Sequence, residues 1–245
     1  MNIVLIEPGE RFFPRGDERY AHIRKVLRKG ANDSFLAGEI DGPKGPAVIE
    51  GMDERGCSFS FEGREPSVPL YPITVIVGFP RPIQLKRLLR DLASLGVASI
   101  SLCATELGEK SYLESTLVDR GAARAALLDG CMQAGMTALP TLEMRESAAE
   151  SIERDVPRDA ARVILDVAEG APSLARLSLG EGESALALAV GSERGWTEGE
   201  RALFRSRGFQ TNGLGPRILR TETACVAAVS VALARMGYLD REARA

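Results

Sequence analysis

Hydrophobic positions follow two different rhythms along this chain. Over residues 1–70 they come in short runs, at 3–6, 34–40, 47–52 and 58–62, separated by glycine and proline. Runs of that length bounded by turn formers read as strands. Asp41-Gly42-Pro43-Lys44-Gly45-Pro46 supplies a turn between two of them. One helix interrupts the pattern: Asp17 stands where an N-cap belongs, and Ile23, Val26 and Leu27 fall on one face at helical spacing. Short strands with a single helix predict a small barrel. Residues 66–72 carry three prolines and read as a stiff linker.

Beyond residue 72 the rhythm becomes strand, helix, strand, helix. Residues 73–77 are a continuous apolar, β-branched run, as in a parallel strand buried on both faces. A helix is predicted over 82–95, with Pro82 tolerated in its first turn and Gly96 ending it. Further strands are predicted at 97–104, 162–167 and 185–190, and a helix at 118–134. Thr197-Glu198-Gly199-Glu200 has the form of a capping box and opens a helix to about residue 207. A last helix, 221–236, is apolar on nearly all sides and must be buried in a core or an interface. This alternation predicts an α/β domain with a mostly parallel sheet over 71–245, following a small β domain over 1–70. There is no internal repeat and no low-complexity tract.

The 245 residues are 44% hydrophobic and 27% charged, ordinary globular values that exclude wholesale disorder. No apolar run approaches the roughly 20 residues that cross a bilayer. The apolar start at residues 3–6 is too short, and lacks the basic flank, for a signal peptide, so a cytoplasmic location is the default. Cys57, Cys103, Cys131 and Cys225 form no CxxC pair and read as reduced, buried thiols. His22 is the single histidine, which leaves no material for a Ser-His-Asp triad or a histidine-rich zinc site. No metal is expected. The formal net charge of −3 runs against a polyanionic partner. Local clusters matter more than the sum: Arg24, Lys25, Arg28 and Lys29 make a basic run, and acids gather over 143–159.

Nucleotide fingerprints are absent. The first strand of the α/β region runs into Gly78-Phe79-Pro80-Arg81-Pro82, which is not GxGxxG, and no GxxxxGK[ST] occurs. Two glycine-bearing loops remain, 189–196 and 212–223, both beyond late strands, where open α/β sheets bind ligands. Glycine there permits close backbone approach to a ligand. Taken alone, both loops read more readily as ordinary βα turns that end in helix caps.

Leu214-Gly215-Pro216-Arg217-Ile218-Leu219-Arg220-Thr221-Glu222-Thr223-Ala224 resembles the C-terminal signature of the bacterial small-subunit ribosomal RNA uridine N3-methyltransferases, the RsmE family. Val190-Gly191-Ser192-Glu193-Arg194-Gly195-Trp196-Thr197 resembles that family's I-G-P-E-G-G-F-S loop, His22-Ile23-Arg24-Lys25-Val26-Leu27-Arg28 its H-x-x-x-V-L-R, and Leu95-Gly96-Val97 the end of its K-A-T-E-L-G-V helix. The likeness covers essentially the whole chain and is strongest over 185–235. The chain departs from the family at Ser192 and Arg194, which replace a proline and a glycine. It departs again at Asp91-Leu92-Ala93-Ser94 and at Met132-Gln133-Ala134-Gly135-Met136, where charged positions change.

The resemblance implies a C-terminal SPOUT-type, trefoil-knotted α/β domain behind a small N-terminal PUA-like β-barrel that helps grip RNA. It implies S-adenosyl-L-methionine as methyl donor, a homodimer, and ribosomal RNA within the assembled small subunit as partner. The implied reaction is methylation of uracil N3 in 16S ribosomal RNA, with uridine 1498 as the expected target. The donor is expected on Val190, Gly191, Glu193, Gly195, Leu214, Gly215, Ile218, Leu219, Arg220, Thr221 and Thr223, and RNA on His22, Arg24, Lys25 and Arg28. N3 carries a proton, and its loss before attack on the methyl group places negative charge on the flanking carbonyl oxygens. Arg220 is the candidate to stabilise it, its other role being a salt bridge or cap contact near Glu222. Glu193 is the second catalytic candidate, orienting donor or base, or else binding backbone amides where the Thr197 helix starts. Three alternatives stay open on sequence alone: a SPOUT enzyme acting on ribose 2′-hydroxyls or another RNA target, a non-catalytic RNA-binding or assembly factor, and an unrelated α/β enzyme of small molecules.

Overall fold

Burial alternates along β4 (Lys44–Met52), where Gly45, Ala47 and Ile49 face inward, as expected of a sheet with one face on a core. β4 is central to a five-stranded sheet of order β1-β3-β4-β5-β2, with β1 (Val4–Ile6), β2 (Phe12–Pro14), β3 (Ser34–Glu39) and β5 (Gly56–Phe61). β1 runs parallel to β3 and the other pairs are antiparallel. Phe13, Phe35 and Phe59 fill the inner face, with ring centroids 4.7 Å apart for Phe13–Phe59 and 5.6 Å for Phe35–Phe59. Lys44, Gly45 and Pro46, which read as turn, belong to β4, because they pair in register with Gly38, Ala37 and Leu36 of β3.

The computed structural model describes residues 2–109 and 120–240. They fall into two compact units: Met1–Pro69 with Leu128–Leu139, and Leu70–Leu127 with Pro140–Ala245. Within the first unit, Asp17 caps α1 (Glu18–Ala21) as its position predicts, accepting from Arg19 N at 2.8 Å. The helix then widens into a π-helical turn, His22–Val26, in which Leu27 N donates to His22 O at 3.0 Å. A π turn holds more residues than an α turn, so later side chains rotate off the α-helical face. Ile23 is buried, whereas Val26 is 64% and Leu27 36% exposed. The single apolar face expected for these three residues is therefore not formed. Arg28, at φ +55°, ends the turn.

The second unit carries a six-stranded, all-parallel sheet of order β11-β9-β10-β6-β7-β8. Its strands are β6 (Tyr71–Gly78), β7 (Val97–Cys103), β8 (Thr141–Arg145), β9 (Ala160–Leu165), β10 (Ala185–Val190) and β11 (Gln210–Asn212). β6 and β10 pair at the middle and are buried from Ile73 and Ala185 onward, which is why they read as unbroken apolar runs. Tyr71 and Pro72, read as linker, begin β6. Pro72 falls where the β6–β7 register shifts, so its missing N–H interrupts no ladder.

The helices are α2 (Pro82–Ser94), α3 (Arg120–Ala134), α4 (Ala148–Asp155), α5 (Glu198–Ser206) and α6 (Thr221–Arg235). Of the helix expected over 118–134, Val118 and Asp119 lie outside the described residues. α6 packs against α2, β10 and a 3-10 turn, Leu174–Arg176, burying Thr221, Cys225, Ala228, Val229, Ala232 and Leu233.

Candidate functional site

Strand order decides where the chemistry can gather. β11, β9 and β10 are neighbours, so the segments leaving their C-terminal ends converge although they are far apart in sequence. Backbone hydrogen bonds tie them together. Asp166 N donates to Asn212 O at 3.1 Å, Leu174 N to Gly213 O at 2.9 Å, and Gly213 N to Pro172 O at 2.9 Å. Thr221 Oγ1, buried at the start of α6, donates to Gly191 O at 3.3 Å. The β10 loop folds into a tight hairpin, Gly195 N to Ser192 O at 2.9 Å. A Cβ on Gly191 would sit 2.9 Å from backbone carbons of Gly195, and one on Gly78, at the end of β6, 2.5 Å from Ser192 N. Only glycine fits at those two positions.

The converging loops enclose a cleft of about 140 Å³. Of the residues expected on the donor, Val190, Gly191, Glu193, Gly195, Leu214, Gly215, Ile218, Leu219 and Thr221 line it. Arg220 and Thr223 do not: both are exposed, Arg220 as the N-cap residue of α6 and Thr223 in its first turn. Leu165, Asp166, Val167, Ser192, Trp196, Arg217 and Ala224 line the cleft without having been singled out. Four of them stand inside the two motifs and could have been read there. The β9 loop carries no such signal, because its apolar run reads as strand through Val167. His22, Arg24, Lys25 and Arg28 belong to the first unit. Arg24, Lys25 and Arg28 are exposed, and Arg24 Nη1 donates to the Tyr20 hydroxyl at 2.9 Å.

The acids of the cleft are already engaged. Asp166 accepts from Arg201 Nε and from Val167 N, the latter at 2.8 Å, and its carboxylate raises the Arg201 pKa. Glu193 Oε1 accepts at 2.9 Å from Arg81 N, at the N-cap of α2. The amides at the Thr197 helix start are served instead by Glu200, whose Oε2 accepts from Thr197 N at 2.8 Å and Oε1 from Glu106 N at 3.0 Å. Trp196 is 2% exposed and packs edge-on against Phe204, yet its Nε1 finds no hydrogen-bond partner among the described residues. A buried donor left open beside a cleft is a place where a ligand acceptor is favoured. A larger cavity of about 450 Å³ lies beyond β6 and β7, lined by Glu106, Glu109, Glu146 and Glu200, whose charge disfavours an anionic ligand.

Among the described residues no group of three or more His, Cys, Asp or Glu side chains could hold a metal ion. The four cysteines are buried and none lines the cleft. Burial pushes the Cys131 thiol up to about 11 and Cys103 up to about 12. No described helix is long and apolar enough to cross a membrane.

Comparison with known proteins agrees with this geometry. The model of the RNA methyltransferase domain family matches residues 66–233. Ribosomal RNA small subunit methyltransferase E of Treponema pallidum (strain Nichols) is 43% identical over 244 residues, spanning 96% of this chain and 91% of the relative. Ribosomal RNA small subunit methyltransferase E 1 of Borreliella burgdorferi is 30% identical, over 96% and 99%. Among solved structures, ribosomal RNA small subunit methyltransferase E of Neisseria gonorrhoeae, bound to S-adenosyl methionine, superposes with a TM-score of 0.79 at 22% identity, covering 96% of this chain and 97% of that one. The fold is the SPOUT-type, trefoil-knotted α/β class implied by the signature, with a small barrel-like unit before it. Fold and cleft thus define an RNA methyltransferase domain. The chain belongs to the ribosomal RNA small subunit methyltransferase E family.

Proposed function

We propose that this protein transfers a methyl group from S-adenosylmethionine to N3 of a uridine in 16S ribosomal RNA, uridine 1498 being the expected position. The observation that carries the proposal is the convergence of the β9, β10 and β11 loops on one cleft that holds nine of the residues expected to bind the donor. The cleft suits that molecule. Leu165, Val190, Leu214 and Leu219 offer apolar walls, and the buried Trp196 Nε1 stands unpaired beside them. When bound, S-adenosylmethionine supplies an electrophilic methyl group on a sulfonium.

The protein's own residues do the rest. The three tied loops hold donor and base in fixed alignment, which supplies a large part of the rate enhancement. Arg220 stands at the N-terminus of α6, where peptide dipoles add positive potential. Its guanidinium, with two aligned donors, stabilises the charge that the uracil carbonyls take on as N3 gives up its proton to solvent; the methyl then passes to N3 as its bond to sulfur breaks, leaving the neutral thioether. Glu193 binds the start of α2 through Arg81 N and so fixes the loop that borders the donor. In this reading the first unit, with Arg24, Lys25 and Arg28, grips RNA of the assembled small subunit. The working form is a homodimer that covers the half-buried Val226, Ala227 and Val231 of α6.

The test is single-turnover methylation of small ribosomal subunits from a strain lacking the enzyme, with the product located by mass spectrometry. Methyl on uracil N3 is expected. Methyl on a ribose hydroxyl would overturn the reaction class.

A further inference from the structure

Charge around the mouth of the cleft is lopsided. Arg217 lines it, Arg194 sits between the lining residues Glu193 and Gly195, and Arg220 between Leu219 and Thr221. Arg81 is held beside them, since its backbone N–H donates to the Glu193 carboxylate at 2.9 Å. All four side chains are exposed, and none makes an ion pair with any described residue. Elsewhere in the second unit arginines commonly meet acids: Arg87 and Arg90 meet Asp91, Arg145 meets Asp155, Arg154 meets Glu150, and Arg205 meets Glu198. Of the cleft's own acids, Asp166 is paired with Arg201, Glu193 keeps its charge while accepting from the Arg81 amide, and Glu222 stands in the first turn of α6 near Arg220. A chain of net charge −3 therefore gathers four guanidiniums, against the two carboxylates of Glu193 and Glu222, at one end of its parallel sheet with none held in an ion pair to a described residue.

We propose that Arg81, Arg194 and Arg217 form, beside Arg220, a cationic rim that grips backbone phosphates of single-stranded RNA on either side of the nucleotide entering the cleft. Guanidinium binds phosphate oxygens through paired N–H donors, and exposed, unpaired arginines lose no ion pair on doing so. Arg194 is held at the tip of the Gly191–Gly195 hairpin, so its backbone anchor is fixed while its side chain is free to meet a strand. A phosphate grip is blind to sequence, which suits a rim whose task is to hold the strand while the cleft selects the base. The inference rests on the methyltransferase reading only for the identity of the molecule inside the cleft.

The test uses fluorescence anisotropy of a labelled 15-nucleotide single-stranded RNA, and of a scrambled sequence, across a salt series. For single strands each phosphate contact contributes about 0.7 to the slope of log affinity against log salt, so losing two contacts in Arg81→Ala/Arg194→Ala lowers the slope by about 1.4 and weakens binding roughly 20-fold at 0.1 M salt. The Arg81→Lys/Arg194→Lys protein keeps the charge and retains the slope. Arg158→Ala serves as the control: Arg158 is exposed and precedes β9, at the opposite end of the strand from the cleft. An unchanged slope in the double alanine variant, an equal loss in Arg158→Ala, or failure of the wild-type protein to bind the RNA would each overturn the rim. Titration of wild-type Trp196 fluorescence with S-adenosylmethionine separates the two readings. RNA binding with the expected slope but no response to the donor would keep the rim and remove the donor.

Discussion

Arg220, proposed above to stabilise the charge on the base, stands just outside the cleft wall at the N-cap of α6, with no side-chain cap bond. Its backbone anchor lies next to Thr221, which is pinned to Gly191 O. Arg220→Ala should lower the single-turnover methylation rate by about 10²–10³, the usual cost of one preorganised donor. Arg220→Lys should recover part of that rate, since it keeps the charge and loses the planar fork. Wild-type rates in the alanine variant would remove Arg220 from the mechanism. His22 makes a different kind of prediction. Its Nε2 is buried without a partner among the described residues, and burial lowers its pKa below the ordinary 6.5. The unfolded chain then takes up the proton first as pH falls. Stability should be level above about pH 6.5 and decline below it, until the folded-state pKa is passed. As the single histidine, its ring protons give an isolated NMR titration, and a midpoint above 6.5 would reject the assignment. His22→Gln should flatten the decline in urea melts.

At the scale of elements, two glycines of the cleft are needed for different reasons, and substitution tells them apart. Gly191 has no room for a Cβ against Gly195, whereas a Cβ on Gly215 would meet open space and the constraint there is a φ of +97°. Urea denaturation should show a loss of about 2 kcal/mol for Gly191→Ala, a crowding cost, and about 1 kcal/mol for Gly215→Ala, a backbone cost. Equal losses would contradict the distinction. The capping box of α5 should be worth about 1 kcal/mol, read as the destabilisation of Thr197→Ala; its Thr197 Oγ1 accepts from Glu200 N at 3.1 Å.

This capping box was legible from four residues, and β10 from six, because local signals determine both. β8 and α4 were hidden because their stretch is rich in acids and the buried face of the eight-residue α4 is only Ala148, Ser151 and Ile152, one of them polar. β2 and β11 have three residues each, too few to show a period. The π turn was invisible because 3.6-residue spacing fits the same letters. In the cleft, the two glycine loops could be read in the sequence, but Asp166 and Val167 could not, since the adjacency of β9 to both β10 and β11 is a property of strand order alone.

For the whole molecule, the open question of assembly centres on α6. One stripe of it is consumed within the protomer by Cys225, Ala228, Val229, Ala232 and Leu233, while Val226, Ala227 and Val231 are only half-buried. Light scattering at micromolar concentration should report a dimer, and Val231→Glu should shift it toward monomer; a stable wild-type monomer would reject the proposal. The strand order has a second consequence, which concerns time. β6 lies between β7 and β10, and Ile73 pairs with Leu186, far later in the chain. A ribosome that has made only the first 184 residues has yet to supply the strand that completes the middle of the sheet. Contacts so distant in sequence close slowly, and the cleft needs β9, β10, β11 and the start of α6 together. The ability to hold a methyl donor should therefore arise near the end of synthesis and all at once, so that a half-made enzyme cannot sequester the donor.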